Sequence, residues 1–194
     1  MGVRREKREK RRQEILEIAL DLFISKGYAD TKISDIAQRA GMSMGLMFHY
    51  FESKAALYEE LIRIGVSGPA SVMTLDTGDP LRFFETAAAG ILTALRDNPF
   101  VAKMFVLMEQ VNFRQDVSEA VKELLAENAV TLKKSVSLIE AGQIRGQIRP
   151  GNPEALSLLF WQTVSGVALH AALIPNAPIP EPEWIVDCIR SKQA

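Results

Sequence analysis

Apolar residues recur at helical spacing along most of this chain, and the clearest short example is Ile33, Ile36, Ala37 and Ala40, at i, i+3, i+4 and i+7. Gly41 follows, and a glycine just past the last periodic residue takes the left-handed conformation that ends a helix and turns the chain. Ser43 then suits the cap of a second short helix, from about Met44 to Phe51, crossing the first at a steep angle. Upstream, Ile15, Leu16, Ala19, Leu20, Leu22 and Phe23 make one apolar face of a helix that runs to about Ser25 and closes at Lys26-Gly27. These three helices form a small unit with Phe23, Ile36, Met47 and Phe51 as expected core. So thin a core leans on a fourth helix, Lys54 to about Gly65, capped by Ser53 and carrying Leu57, Leu61 and Ile64 inward.

The segment GVSGPASVMTLDTGDP reads as the end of that helix and a loop between domains. Helical patterns then cover Leu81 to Asp97, Pro99 to about Val111, Val117 to Ala141 and Pro153 to about Leu173, with a last one over about Glu183 to Ser191. The long third of these carries Val121, Leu124, Leu125, Val130, Leu132, Val136 and Ile139, and GQIRGQIRPGNP after it is a turn cluster. No strand-like alternation of useful length occurs, so the expected fold is all-α. It comprises an N-terminal three-helix helix-turn-helix unit over residues 1–54 and a helical domain over residues 55–194.

Two glycine-joined helices are common in helical proteins. Gly45, however, stands inside the second one, where glycine costs roughly 1 kcal/mol relative to alanine and suggests that something must approach the backbone. The stretch GMSMGLMFHYFESKAALY resembles the recognition helix and following segment of the TetR (tetracycline repressor-like) family, with Gly41, Ser43, Gly45, Tyr50, Phe51, Ser53, Lys54 and Leu57 in register. The preceding FISKGYADTKISDIAQRAG is similar to the family's first two helices, so the resemblance covers about the first sixty residues. It implies a dimeric, ligand-responsive DNA-binding regulator, most often a repressor acting at a palindromic operator.

Carried over residue by residue, the resemblance implies that Met44, Gly45 and Leu46 face base edges, where apolar side chains meet thymine methyl groups. Ser43 caps this helix within the same contact surface. His49 and Tyr50 reach phosphate or an adjacent base, while Thr31, Lys32, Ser34 and Lys54 offer hydroxyl, ammonium and amide groups to phosphate. Phe48 stands where the family usually has tyrosine, so one phosphate hydrogen bond is missing. Met44 replaces frequent polar residues, and Glu52 adds a negative charge.

The resemblance also implies a second-subunit contact through the last two helices. The helix from Glu154 to Leu173 is apolar on more than one face, which fits a central or interface position, and the Trp184, Ile185 and Ile189 face is expected to join it. A small apolar or aromatic effector is expected after the interdomain loop. There Phe83, Phe84, Ile91, Met104, Phe105, Leu107, Met108, Val111 and Phe113 form a soft aromatic and methionine surface, with Glu109, Gln110, Asn112, Trp161 and Gln162 as polar contacts. The bland alternative for each of these apolar residues is ordinary core.

Composition narrows the class. The 194 residues are 47% hydrophobic and 24% charged, as in soluble globular proteins, and MGVRREKREKRRQ has no apolar stretch able to serve as a signal peptide, so a cytoplasmic protein is expected. Residues 1–54 carry 11 Lys/Arg against 8 Asp/Glu and the rest 12 against 16, which divides the net charge of −1 into +3 and −4. Arg4, Arg5, Lys7, Arg8, Lys10, Arg11 and Arg12 are either a solvated helix start, helped by Glu6 before Lys10, or a basic arm that touches DNA phosphate. The single cysteine, Cys188, has no internal disulfide partner and reads as a small buried apolar residue. His49 and His170 lack metal-ligand spacing, and no phosphate loop or nucleophile elbow occurs, so no metal, cofactor or enzymatic activity is expected. A helical carrier for an apolar molecule, with no DNA role, is the rival reading.

Overall fold

The computed structural model describes residues 2–192; within them, the side chains of Val3, Asn128, Val130, Thr131 and Leu132 lie outside the description, so the contacts expected of Val130 and Leu132 do too. The helices are α1 (Gly2–Lys26), α2 (Ile33–Arg39), α3 (Met44–Tyr50), α4 (Lys54–Val72), α5 (Pro80–Asp97), α6 (Pro99–Asn112), α7 (Glu119–Ile144), α8 (Pro153–Leu173) and α9 (Pro182–Val186). Helix starts follow their caps: Ser43, Ser53, Asp79, Asn98, Ser118 and Asn152 each accept a backbone N–H from the first turn they precede.

Two hydrophobic cores result. The first joins Ile15, Leu16, Leu20 and Phe23 of α1 to Ile36, Met47, Phe51, Leu57 and Leu61, and continues to Met104, Leu107 and Val111 of α6. The second gathers Phe83, Phe84 and Leu92 of α5, Ile139 of α7, Phe160 and Val164 of α8, and Ile185 and Ile189 near the C-terminus. Helix α6 serves both, because Ala102 is buried in the second core and Val101 and Phe105 pack against it. Sequence position 54 is therefore not a break in packing: α4 and α6 belong to the core on which the first three helices rest.

Three expectations are corrected. Helix α4 does not stop near Gly65 but continues through Pro69 to Val72, leaving only residues 73–79 as loop. The reason is tertiary: Gly65 lies against Met108 and Met104 of α6, so its missing side chain marks a close approach of the two helices and not a helix stop. The last helix ends at Val186, not Ser191. Beyond it the chain pairs with residues 147–149, with Arg149 N–H donating to Ile189 O at 2.9 Å and Ser191 N–H to Gln147 O at 2.9 Å. Ile185 and Ile189 consequently point into the second core, and of the expected outer face only Trp184 remains exposed.

Helix α8 divides lengthwise. Leu156, Phe160, Val164 and Ala168 fill the second core, whereas Leu158, Leu159 and Leu173 face outward, Leu173 at 77% exposure. Among the described residues this is the one helix long and apolar enough, by length and composition, to cross a membrane. Its inner half is packed as core. Cys188 is half-buried, and burial raises its thiol pKa against the opposing field of Arg149, which disfavours the reactive thiolate.

Candidate nucleic-acid interface

The turn between α2 and α3 is built by a double hydrogen bond. Met42 N–H donates to Ala37 O at 3.0 Å and Gly41 N–H to Gln38 O at 3.1 Å, the paired 6→1 and 5→2 pattern that closes a helix on a left-handed residue. Gly41 supplies that residue at φ +62°, where an L side chain is strained. Ser43 then caps α3, its Oγ accepting from Leu46 N–H at 3.3 Å.

Helix α3 is held by one buried side chain. Met47 is fully enclosed in the first core, and Phe51 just beyond it is also buried. This anchoring turns the other side of the helix to solvent: Met44 is 36% exposed, Leu46 44% and Phe48 49%, with Ser43, Gly45 and His49 also exposed and Tyr50 half-buried. Among the described residues, and apart from its chain neighbours and its own helix backbone, nothing lies within 4 Å of where a Gly45 Cβ would be. The fold itself thus has room for alanine, which would favour the helix. A glycine kept in open space, on a face carrying three exposed apolar side chains, fits a surface that another molecule approaches closely.

The flanking expected contacts separate into two groups. Lys32 and Ser34 are exposed beside α2, Ser34 within 3.5 Å of Asp35. Thr31 and Lys54 are turned to internal work instead. Thr31 is fully buried, its hydroxyl bonded to Gly27 O at 2.7 Å and Leu22 O at 3.2 Å. Lys54 Nζ donates to Tyr28 O at 2.7 Å, Thr31 O at 2.8 Å and Ala29 O at 3.4 Å, and lies 4.2 Å from the centre of the Tyr28 ring. Both therefore fix the loop that leads into α2, with their side-chain donors engaged by carbonyls of the protein itself.

Several residues of this framework had no local sequence signal. Arg12 of α1 pairs with Glu60 of α4 at 3.0 Å and stacks over Phe51. Arg114, in the α6–α7 loop, lies 5.0 Å from the Tyr28 ring centre and is held by Asp116 at 2.8 Å, which raises the Arg114 pKa and lowers that of Asp116. Tyr58 stands on the same cluster, and burial raises its phenol pKa against the pull of Arg114. The basic residues Arg4, Arg5, Lys7, Arg8 and Lys10 are exposed along α1, while Arg11 bonds Glu14 and the Ala40 carbonyl. The N-terminal basic run is thus continuous helix, not an extended arm.

The expected effector residues are distributed over both cores and the surface. Phe84 is buried in the second core with Ile91, Phe105 and Trp161 against it, Met104 and Met108 belong to the first, and Asn112 and Gln162 are exposed. A cleft of about 470 Å³ between α1, α2 and α6, lined by residues such as Glu17, Arg39 and Lys103, includes none of them. Sequence reasoning missed a buried polar pair beside this region: Ser135 and Ser157 share a hydrogen bond at 2.5 Å, and Trp161 Nε1 donates to Ser135 Oγ at 3.0 Å. Among the described residues no group of three or more His, Cys, Asp or Glu gathers where it could hold a metal.

Comparison with known proteins agrees with this geometry. Residues 15–61 match the model of the family "Bacterial regulatory proteins, tetR family", a span running from α1 through the α2–α3 unit into α4. The chain is 22% identical over 176 residues, 88% of each protein, to the uncharacterised HTH-type transcriptional regulator YvkB of Bacillus subtilis. It is 42% identical over 53 residues, 27% of this chain and 26% of the other, to the HTH-type transcriptional repressor KstR2 of Rhodococcus jostii. The solved structure of the ketosteroid transcriptional regulator KstR2 of Mycobacterium tuberculosis shares the fold, with a TM-score of 0.75 at 20% identity over 94% of this chain and 96% of that one. By that match, α2–α3 is a helix-turn-helix of the kind found in the tetR family of bacterial regulatory proteins, and the rest of the chain is similar to such regulators in fold.

Proposed function

We propose that this protein is a ligand-responsive repressor that binds a palindromic operator as a homodimer and leaves it when a small apolar or aromatic effector binds. The observation that carries the reading is the outward face of α3, where Met44, Gly45, Leu46, Phe48 and His49 are free of the core while Met47 alone anchors the helix. In this reading these residues enter the major groove, and Lys32, Ser34, Ser43 and Tyr50 lie along the phosphates. Thr31 and Lys54 act behind them, by fixing the start of α2.

The outer face of α8 supports pairing, because Leu158, Leu159 and Leu173, with Trp184 of α9, leave large apolar side chains in solvent. A two-fold pair through that face sets two copies of α3 on half-sites about one DNA turn apart, roughly 34–36 Å. Residues 1–54 then read DNA and residues 55–194 hold the effector and the partner, with α4 and α6 bridging the two. An effector entering among Phe84, Ile91, Phe105 and Trp161 would displace α6. That helix is tied to α1 by Lys103 with Asp21 at 2.6 Å and by Gln110 with Ile24 O at 3.2 Å. Release follows to the extent that the effector prefers the displaced state.

The test is selection of duplexes from a randomised pool by the full-length protein, followed by titration of the enriched duplex with Leu46→Glu and Phe48→Glu variants. The reading expects tight, salt-sensitive binding by the wild type and its loss in both variants, with thermal stability unchanged because both sites are exposed. Failure to enrich any duplex at low salt, or undiminished binding by the variants, contradicts it and favours a carrier without a DNA role.

A further inference from the structure

The exposed face of α3 is unusual in what it lacks. Sequence readout by bidentate contact uses Arg or Lys for guanine, Asn or Gln for adenine and a carboxylate for cytosine. The α3 sequence MGLMFHY contains none of these six residue types. The charged groups nearby lie outside α3: Lys54 grips the loop before α2, Arg39 of α2 faces Asp21 at 3.9 Å, and Lys32 and Glu52 are exposed to either side. What remains toward solvent is Met44, Leu46 and Phe48, with Ser43 and His49 as the polar groups. The Ser43 oxygen already accepts from Leu46 N–H, which leaves its proton to donate.

The only base feature in the major groove that an aliphatic or aromatic side chain recognises favourably is the thymine C5-methyl group. The open space at Gly45 permits the close backbone approach that such short-range contacts need. Resting on the regulator reading above, we infer that this protein reads its operator mainly through thymine methyl groups, so that the bases facing α3 in each half-site are A·T pairs placed to meet Leu46, Phe48 and Met44. Specificity is then a matter of apolar contact, with Ser43 and His49 adding hydrogen bonds to O4 or N7 acceptors.

Deoxyuridine tests this directly, since it differs from thymidine only by that methyl group. The full-length protein is used to enrich duplexes from a randomised pool, and the best one is resynthesised with deoxyuridine at one thymidine at a time. At each contacted position affinity falls about fourfold, the equivalent of one buried carbon. Leu46→Ala and Phe48→Ala, at exposed positions that leave the fold intact, each become insensitive to deoxyuridine at one of those positions. A duplex bound in a salt-dependent way, yet indifferent to deoxyuridine throughout, overturns this inference and leaves the regulator reading standing. Enriched half-sites made of G·C pairs do the same. A pool from which nothing is enriched overturns both.

Discussion

Replacing Lys54 by Met keeps most of the aliphatic stem and removes the ammonium that ties down the loop before α2. Two short hydrogen bonds are lost, to Tyr28 O at 2.7 Å and Thr31 O at 2.8 Å, together with the contact over the Tyr28 ring. Hydrogen bonds to a charged group are each worth about 1.5 kcal/mol at the lower end suited to a partly exposed site, and the cation–π contact adds about 0.5 kcal/mol. Freeing the lysine side chain returns about 1.5 kcal/mol of rotamer entropy, so the net loss is about 2 kcal/mol. For a chain of this size that lowers Tm by about 4–8 °C. The companion measurement is the salt dependence of DNA binding. A lysine that only positions α2 leaves the slope of log K against log salt unchanged when substituted, whereas a phosphate contact contributes about 0.9 to it in each half-site. An unaltered Tm with a reduced slope would refute the internal role given to Lys54.

Gly65→Ala puts a Cβ against the flexible Met108 side chain, which must shift, so urea unfolding should show less than the about 1 kcal/mol gain of an open helix site; adding Met108→Ala should restore that gain, and a single variant that gains it in full contradicts the packing of α4 on α6. Gly45→Ala should act in two opposite directions, raising stability by about 0.5–1 kcal/mol while weakening DNA binding; unchanged affinity means that nothing approaches that backbone. Asp79 caps α5, and its pKa is lowered by hydrogen bonds from Arg82 N–H and then from the Gln147 side chain. Its contribution is full above the unfolded carboxylate pKa and is lost as pH falls through the lower folded value. Asp79→Asn keeps a cap without that titration, so its urea midpoint should fall less than that of wild type between neutral and acid solution; equal falls contradict this.

The helix-turn-helix was legible because its signals are local. Gly41 and Ser43 act on residues within one turn, and the 3.6-residue pattern from Ile33 to Ala40 needs no distant partner. Helix α8 was legible for a similar reason, since Pro153 starts it and apolar residues recur from Leu156 to Leu173 along its whole length. Helix α4 was not. Gly65, Gly68 and Pro69 read as breakers, and the close approach of Gly65 to Met108, more than forty residues away, has no signal in the local pattern. The same limit applied to Ile185 and Ile189, whose inward orientation depends on pairing with residues 147–149. The internal bonds of Thr31 and Lys54 were not legible either, because the carbonyls that accept from them come from a loop whose shape the motif does not encode. For the effector region, aromatic and methionine content marked soft packing but did not reveal that α6 divides those residues between two cores.

In the proposed complex, two copies of the α3 face, paired through α8, meet one duplex. Hydroxyl-radical footprinting of the enriched duplex, with the mass of the same complex determined in solution, tests it most directly. The expected result is two protomers per duplex and two protected patches about one turn apart, roughly 34–36 Å, both lost on Leu173→Arg. A single protected patch bound by one protomer, or a footprint that survives Leu173→Arg unchanged, contradicts it.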